Sequence, residues 1–450
     1  MNQVKIDWYK RGSFTLVFFL LLFAGISCST PKTADKEEEI PISREKYKDQ
    51  LYGFWLGQCI ANWTGLITEM DKIGIPIDGK GEGFYTRDNW GKADQPNIWG
   101  SNNLSSTIDF LFADEDSIWG ADDDTDIEYI YQELLLKHQT LFLNPEQIRQ
   151  GWLDHIHAEE ENYLWVSNQK AFDLMREGIL PPQTSDPSLN PHFEMIDAQL
   201  TTEIFGLYAP GRPDIALEMA HLPIRTSASG NAAWIAEFYV VMYSLAGLDT
   251  DHPSIKEKTQ WMADQAAKRL PEDSYSAKMY AFVKSEYESG KPWESTRDAL
   301  HERYQIQQMD GYDWSTKDMA CHGCFAAGIN FGASLISLFY GEGDLKETIK
   351  IGALCGWDSD NPTATWGGML GFMLGKEGVE NAFGRKFSNK FWIHRTRKGF
   401  PNDGIDTFET MAEKGATILD RVMKEKMNGT LENGIWKARK KEITIIPASN

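Results

Sequence analysis

Apolar residues recur at helical spacing from about residue 43 onward. Ser43 is a good N-cap residue, and Tyr47, Leu51, Trp55 and Cys59 follow it at intervals of four. Side chains at that spacing lie on one face of a helix. The pattern therefore predicts that the folded part of the chain opens with a long helix.

The same segment carries a second row made of small residues, namely Gly53, Gly57, Ala61 and Gly65. Glycine inside a helix costs about 1 kcal/mol relative to alanine, so packing must favour it here. A later row with the same spacing consists of Gly367, Gly371 and Gly375. We expect other helices to approach closely at both rows.

Helical periodicity continues along the rest of the chain, in segments at 145–158, 167–178, 194–208, 213–221, 231–246, 254–269, 272–288 and 292–304. Alternating strand patterns are scarce. Residues 71–120 are rich in Gly, Asp and Asn and are predicted to be mostly loop, which at that length is usually functional. The 450 residues, 42% of them hydrophobic, can bury a large core. We therefore predict an all-α fold, a single large multi-helix domain over residues 43–450.

The N-terminal segment has the pattern of an export signal. Basic residues precede the apolar run 14–25, which is shorter than the roughly 20 residues of a membrane helix. The run ends in Gly25-Ile26-Ser27-Cys28, similar to a bacterial lipobox except that Gly25 replaces the usual leucine. Residues 1–28 are predicted to be a lipoprotein-type signal peptide and residues 29–42 a flexible tether. Ordinary signal cleavage nearby is the alternative.

The net charge of -21 argues against long-range attraction to nucleic acid or anionic lipid. The expected partner is a small molecule or a glycan, and the membrane is contacted only through an N-terminal lipid. The expected location is outside the cytoplasm, on the periplasmic face or the cell surface.

Three consecutive acids, Asp122, Asp123 and Asp124, directly precede a helical pattern. A helix N-terminus favours negative charge by roughly 0.3–1 kcal/mol per group, which suffices for one capping acid but not for three. A hard cation such as Mg2+ or Ca2+, which takes oxygen ligands, would compensate the others. A solvated acidic turn with a single cap is the alternative.

A second polar cluster, Asp358, Asp360 and Asn361, also precedes a helix. Pro362 fits the first helical turn, where its missing N–H costs nothing. Two acid clusters at helix starts could converge on one metal centre.

Cys321, His322 and Cys324 lie at the head of a small-residue segment. Haem attachment needs a histidine after the second cysteine, and no second cysteine pair is present for zinc. A disulfide is one interpretation, but we favour buried apolar thiols. For His322 we favour a core histidine with its hydrogen bonds satisfied over a role in substrate binding.

These motifs together resemble the ADP-ribosylglycohydrolase family, of the dinitrogenase-reductase-activating glycohydrolase type, over roughly residues 47–380. The motifs are the glycine-rich helix from Gly57 to Glu69, Asp123-Asp124-Thr125, and the run from Gly356 to Asp360. The resemblance implies an all-α domain with two Mg2+ ions in a cleft, Mn2+ being an alternative. The metal ligands it implies are Asp122, Asp123, Asp124, Asp358, Asp360 and Asn361. It also implies that Glu69 is the catalytic acid residue at the scissile bond.

Several positions depart from the family pattern. Asp122 replaces a usual Ser or Thr, Asn62 replaces Asp, and Asn361 with Pro362 replaces a threonine. The run from Ser229 to Asn231 is similar to a Gly-Asn stretch of the family. The expected substrate contacts are Asn62, Trp63, Trp119, Gly230, Asn231 and His322. These departures leave the identity of the substrate open.

The expected function is metal-dependent hydrolysis of an N- or O-glycosidic bond to ADP-ribose or a related ribosyl group. A dinuclear centre can orient furanose hydroxyls and activate water while a carboxylate, for which Glu69 is the first choice, accepts a proton. Glu69 as a cap or surface acid is the alternative. An exported acidic protein has little access to ADP-ribosylated cytosolic proteins, so an exported furanosidase or glycan-cleaving glycosidase is the second hypothesis. A non-catalytic glycan-binding lipoprotein is the third; the 16 tryptophans, which stack on sugars and on adenine alike, suit all three.

We expect the mature chain to begin at a lipidated Cys28, because the short apolar run ends in small residues directly before it. Mass spectrometry of the native N-terminus measures this. An intact Met1, or an unmodified Cys28 at the N-terminus, would contradict the prediction.

Overall fold

The computed structural model describes residues 39–101, 104–314, 321–439 and 441–448. The predicted signal peptide and residues 29–38 of the predicted tether lie outside them. Residues 39–42 differ from the prediction: they belong to a strand, because their backbone pairs with residues near the C-terminus from Glu39↔Arg439 to Ser43↔Ile435.

The helices of the described residues run, in chain order, as α1 (Arg44–Gly65), α2 (Asp123–Lys137), α3 (Pro145–His155), α4 (Val166–Arg176), α5 (Ile204–Leu207), α6 (Pro213–Ile224), α7 (Gly230–Ala246), α8 (Ile255–Ala266), α9 (Tyr275–Glu288), α10 (Trp293–Leu300), α11 (Ala327–Gly341), α12 (Leu345–Cys355), α13 (Asp360–Phe383) and α14 (Phe408–Glu425). A π-helical turn, His301–Ile306, follows α10. The prediction of an all-α fold is confirmed. None of the described helices is both long enough and apolar enough to cross a membrane.

The strands of the described residues are β1 (Glu39–Ser43), β2 (Lys72–Gly74), β3 (Gly81–Glu82), β4 (Trp119–Gly120), β5 (Lys390–Trp392), β6 (Ile405–Thr407), β7 (Thr430–Glu432) and β8 (Ile435–Arg439). They form three small sheets with the orders β1-β8-β7, β2-β3 and β4-β5-β6. The third sheet matters for the site, since β4 leads directly into α2.

The segment at 194–208 differs from the helix that its pattern predicts. It contains only the 3-10 turn Ile196–Ala198 and the short helix α5. The backbone N–H of Ile196 bonds to the carbonyl of Phe325, and the N–H of Ala327 bonds to the carbonyl of Glu194. These bonds to another segment replace the ones that would continue a helix.

Helix α1 is at the centre of the fold, and Tyr47, Leu51, Trp55 and Cys59 are each at most 1% exposed. The side chain of Ser43 accepts a hydrogen bond from the N–H of Lys46, which confirms the predicted N-cap. The helix therefore begins where the sequence pattern places it.

The two rows of glycines face each other across the contact between α1 and α13. A Cβ added at Gly53 would overlap the carbonyl oxygen of Gly371, and one at Gly57 would overlap that of Gly367. At the end of α1, a Cβ on Gly65 would overlap the Cα of Asp360. The two backbones are therefore in direct contact, and the end of α1 is packed against the start of α13.

We expect Gly57→Ala to destabilise the protein by about 1–3 kcal/mol, the usual cost of overpacking, although alanine is the better helix former. Denaturant unfolding measures the change. The control is Gly415→Ala in α14, where the new Cβ would meet the flexible end of Leu51 at 3.1 Å. Equal stabilities of the Gly57 and Gly415 variants would contradict close backbone packing.

Candidate active site

The first acid cluster is held at the start of α2. Asp122 is the N-cap residue, and its own N–H donates to Oγ1 of Thr125 at 3.0 Å. Nδ2 of Asn62 on α1 donates to Oδ2 of Asp122 at 3.1 Å. Asp124, which is 2% exposed, accepts at Oδ1 from Nδ2 of Asn361 at 3.0 Å. The predicted placement of these acids at a helix start is confirmed.

The second cluster is held at the start of α13. Gly356 and Trp357 both have positive φ, 102° and 58°, and turn the chain sharply between α12 and α13. The N–H of Asp358 donates to Oδ1 of Asn330 at 3.3 Å, while Asp360 opens α13. Asp358 and Asp360 are 6% and 3% exposed, so both carboxylates are buried.

Glu69 lies in the turn that follows α1, four positions beyond its last residue. The residues on either side of it are tied to the segment before α13. Oγ1 of Thr68 lies 3.0 Å from Oγ of Ser359, and the N–H of Met70 donates to the carbonyl of Trp357 at 2.9 Å. These contacts hold Glu69 against the second acid cluster.

The acids form two groups that could hold a metal ion, and the groups share one member. Glu69, Asp358 and Asp360 make the first, and Asp122, Asp124 and Asp360 make the second; in each, one oxygen per residue lies within 4.8 Å of the others. The two predicted clusters therefore converge, with Asp360 between them. Asp123 lines the same cavity but belongs to neither group.

These carboxylates are electrostatically strained. Burial, followed by the neighbouring acids, raises the pKa of Glu69, Asp124 and Asp358 well above the ordinary values. The same causes raise the pKa of Asp122 to about 7. The carboxyl groups therefore do not all ionise at the same time unless a positive charge lies nearby.

A divalent cation fits this arrangement. Oδ1 of Asp360 accepts no hydrogen bond from the described residues, although the side chain is buried and shared by both groups. All candidate donors are carboxylate oxygens, which suit a hard cation. Such an ion would satisfy the free lone pairs of Asp360 and offset the crowded charge.

The acids lie in a cavity of about 690 Å³. Its other lining residues come from several loops and helices and are Leu66, Asn97, Trp99, Ser101, Tyr163, Trp165, Val166, Ile196, Asp197, Leu200 and Phe325. The long loop at 71–120 contributes three of them, and its functional role stays a prediction. A sugar-sized ligand could reach the acids through this cavity.

The cavity lining does not include three predicted substrate contacts that lie near the end of α1 or just before α2. Asn62 is fully buried and binds Asp122, as described above. Nε1 of Trp63 donates to the carbonyl of Gly120 at 2.8 Å. Trp119 is 2% exposed and its Nε1 donates to the carbonyl of Ser388, so it is a core residue. Asn62 and Trp63 thus hold the segment that starts α2, and contact of these three residues with substrate stays a prediction.

Three other predicted contacts also lie outside the cavity lining. Gly230 has φ of 59° and begins α7, and the N–H of Asn231 donates to Oε1 of Glu194 at 3.1 Å. The carbonyl of His322 accepts from Nε2 of Gln305 at 3.0 Å. The structure thus gives these residues roles in packing and hydrogen bonding.

Two further predictions concern Asn361 and the cysteine pair. The amide of Asn361 donates to Asp124 and its oxygen accepts from Nε2 of Gln199 at 3.0 Å. The amide therefore orients an acid, and the role of Asn361 as a metal ligand stays a prediction. Cys321 and Cys324 form a disulfide and are not the buried thiols that the sequence favoured.

The aromatic lining was missed because its members lie in loops. Trp99 and Trp165 are 54% and 50% exposed. The ring of Trp99 is stacked on that of Phe325, with centroids 6.0 Å apart and planes at 12°. Trp99 lies in the Gly- and Asn-rich loop at 71–120, and no pattern along the chain connects it with residue 325.

The fold is helical, and carboxylates from several segments converge in an open cavity. This arrangement is typical of hydrolases whose acidic side chains can hold a metal ion. Residues 43–416 match the model of the ADP-ribosylglycohydrolase family. The chain belongs to that family and is a glycosyl hydrolase.

Among solved structures, one described as an ADP-ribosylglycohydrolase-related protein complex is similar at a TM-score of 0.41 and 14% identity, over 83% of this chain and 98% of that one. A search of curated proteins found no significant match.

We expect Asp360→Asn to weaken Mg2+ or Mn2+ binding more than tenfold at both acid groups, because both groups share Asp360. Loss of a residue that only supports a ligand already lowers metal affinity by about 10–100-fold, so loss of a direct ligand should cost at least as much. Asp358→Asn should weaken binding at one group only. Isothermal titration calorimetry measures both affinities and stoichiometry. Asp249→Asn, whose side chain is 92% exposed, is the control and should bind as the parent does. Unchanged affinity in Asp360→Asn would rule out the shared site.

Proposed function

We propose that this glycosyl hydrolase cleaves the N- or O-glycosidic bond to a ribosyl or related furanosyl group in a metal-dependent reaction. One observation carries the proposal: Asp360 belongs to both acid groups, and Glu69 belongs to one of them at the edge of an open cavity. A base beside a cation site can activate water for the hydrolysis of a glycosidic bond.

Mg2+ is the proposed cofactor, and two ions would be held by the two groups. The donors are carboxylates, and no histidine or cysteine is found among the described residues that line the cavity. Oxygen donors of this kind favour Mg2+, with Mn2+ next, over softer metals. The bound metal would lower the pKa of water and orient the vicinal hydroxyls of the sugar.

Glu69 is the proposed proton acceptor. It is half-buried, lines the cavity and lies in one group with Asp358 and Asp360. The bonds of Thr68 and Met70 to the segment at 357–359 anchor the turn that carries Glu69 beside the acids. Asn62 and Asn361 keep Asp122 and Asp124 in place while a proton moves at Glu69.

The proposed location is outside the cytoplasm, with the chain anchored through lipid at Cys28. The Cys321–Cys324 disulfide supports an oxidising compartment. The acidic net charge disfavours direct contact between the folded chain and an anionic membrane surface. The lipid would therefore be the membrane contact.

We expect Glu69→Gln to lower turnover by about 10²–10⁴-fold, the usual contribution of a general base. Glutamine keeps the size of the side chain but cannot accept the proton. Turnover is followed on a panel of ADP-ribosyl compounds and neutral furanosides with Mg2+ present. Metal content is measured on the same samples, because Glu69 also belongs to a metal group.

The control is Glu115→Gln, which changes an exposed glutamate outside the cavity and should leave turnover unchanged. Parent-level turnover in metal-loaded Glu69→Gln would disprove the role of Glu69. If the metal-loaded parent cleaved no member of the panel, the hydrolase proposal would fail and the binding-protein hypothesis would replace it.

A further inference from the structure

The cavity is lined by acids and exposed aromatic rings. Its carboxylates are Glu69, Asp122, Asp123, Asp124, Asp197, Asp358 and Asp360. Among the described lining residues there is no lysine, arginine or histidine. Apart from metal ions, the described lining therefore offers an anion no cationic partner.

Two cationic side chains of the described residues lie beside residues at the aromatic part of the cavity. Arg395 is exposed, and its guanidinium donates to the hydroxyl of Tyr163 at 3.0 Å and lies 5.2 Å from that ring. The amine of Lys80 lies beside Gly100, next to Trp99. Neither Arg395 nor Lys80 is among the residues that line the cavity.

The rings offer faces for stacking. Trp99 and Phe325 form one stacked pair, and Tyr163 contacts Trp165 edge to face with centroids 5.8 Å apart. Both tryptophans line the cavity while half of each side chain is exposed. Large aromatic rings left uncovered in a cavity provide contact area for the apolar face of a ligand.

The backbone that carries the second pair is strained. Tyr163, Trp165 and Val166 have φ of 54°, 35° and 27°, which costs free energy in residues other than glycine. The segment is held from below, because the carbonyl of Asn162 accepts from Arg397, which also pairs with Asp126 on α2 at 2.9 Å. Arg397 thus links the segment that precedes Trp165 to the helix that carries the acids.

We infer that this cavity selects an uncharged furanoside, whose rings stack on Trp99 and Trp165, over a substrate that carries a pyrophosphate. The inference rests on the proposed hydrolase function and specifies its substrate class. A neutral sugar needs no cationic partner, and its C–H faces suit the exposed rings. A pyrophosphate would bring two negative charges next to acidic residues, with no cationic side chain among the described lining residues to pair with them.

The test compares two substrate classes with the metal-loaded parent. The neutral class is 4-nitrophenyl ribofuranoside, arabinofuranoside and galactofuranoside, and the charged class is ADP-ribosyl-arginine and ADP-ribosyl-serine peptides. We expect kcat/KM to be at least tenfold higher for one of the neutral compounds. Higher kcat/KM for an ADP-ribosyl compound would overturn the inference and leave the proposed hydrolysis intact. If neither class were cleaved, the proposed function itself would fail.

Binding supplies a second readout. Calorimetry with the slow Glu69→Gln variant compares the preferred neutral furanoside with free ADP-ribose. Trp165→Ala should weaken binding of the neutral ligand about tenfold, in the range of a lost stacking contact, while Trp165→Phe should restore most of the affinity. Trp392→Ala is the control, since that side chain is 39% exposed outside the cavity lining. Tighter binding of ADP-ribose, or no effect of Trp165→Ala, would overturn the inference.

Discussion

Direct backbone contact between α1 and α13 sets the position of the acids. Gly53 and Gly57 on one helix lie against Gly371 and Gly367 on the other with no room for a Cβ. Because Gly65 ends α1 against the Cα of Asp360, the same contact brings the turn with Glu69 to the start of α13. The helices cannot separate without moving Glu69 away from Asp360, so the cost of the glycines in helix propensity is offset by the geometry of the site.

That geometry creates an electrostatic problem. Several carboxylates are buried within a few ångströms, and an uncompensated buried charge costs several kcal/mol. The dipole of α2 offsets about 2 kcal/mol of this cost at most. Neutral amides from Asn62, Asn361 and Gln199 satisfy individual oxygens but add no charge. The remaining imbalance favours a divalent cation, which is why the acid groups and the helix packing have to be considered together.

The sequence predicts the parts of this arrangement that depend on local pattern. The start of α1, the acids at the heads of α2 and α13 and the small-residue rows all follow from spacing and capping. Trp119 could not be assigned in this way: it lies in a polar stretch, yet its ring packs near Phe387 with centroids 6.4 Å apart and its N–H bonds to a distant carbonyl. Trp99 shows the reverse case, since its exposure and its stacking partner depend on tertiary contacts that no periodicity encodes.

The departures from the family pattern also gain a physical explanation, because two of them are in contact. Asn62 and Asp122 replace the usual Asp and Ser or Thr, and Nδ2 of Asn62 donates to Asp122 at 3.1 Å. An aspartate at position 62 would instead face the Asp122 carboxylate, and two such charges 4 Å apart repel by about 4 kcal/mol at an effective dielectric constant of 20. An acid at the N-cap of α2 is favoured by the helix dipole, but it requires a neutral donor opposite it on α1. In this chain Asn62 and Asp122 therefore act as a pair, in which a neutral donor on α1 faces the acid at the head of α2.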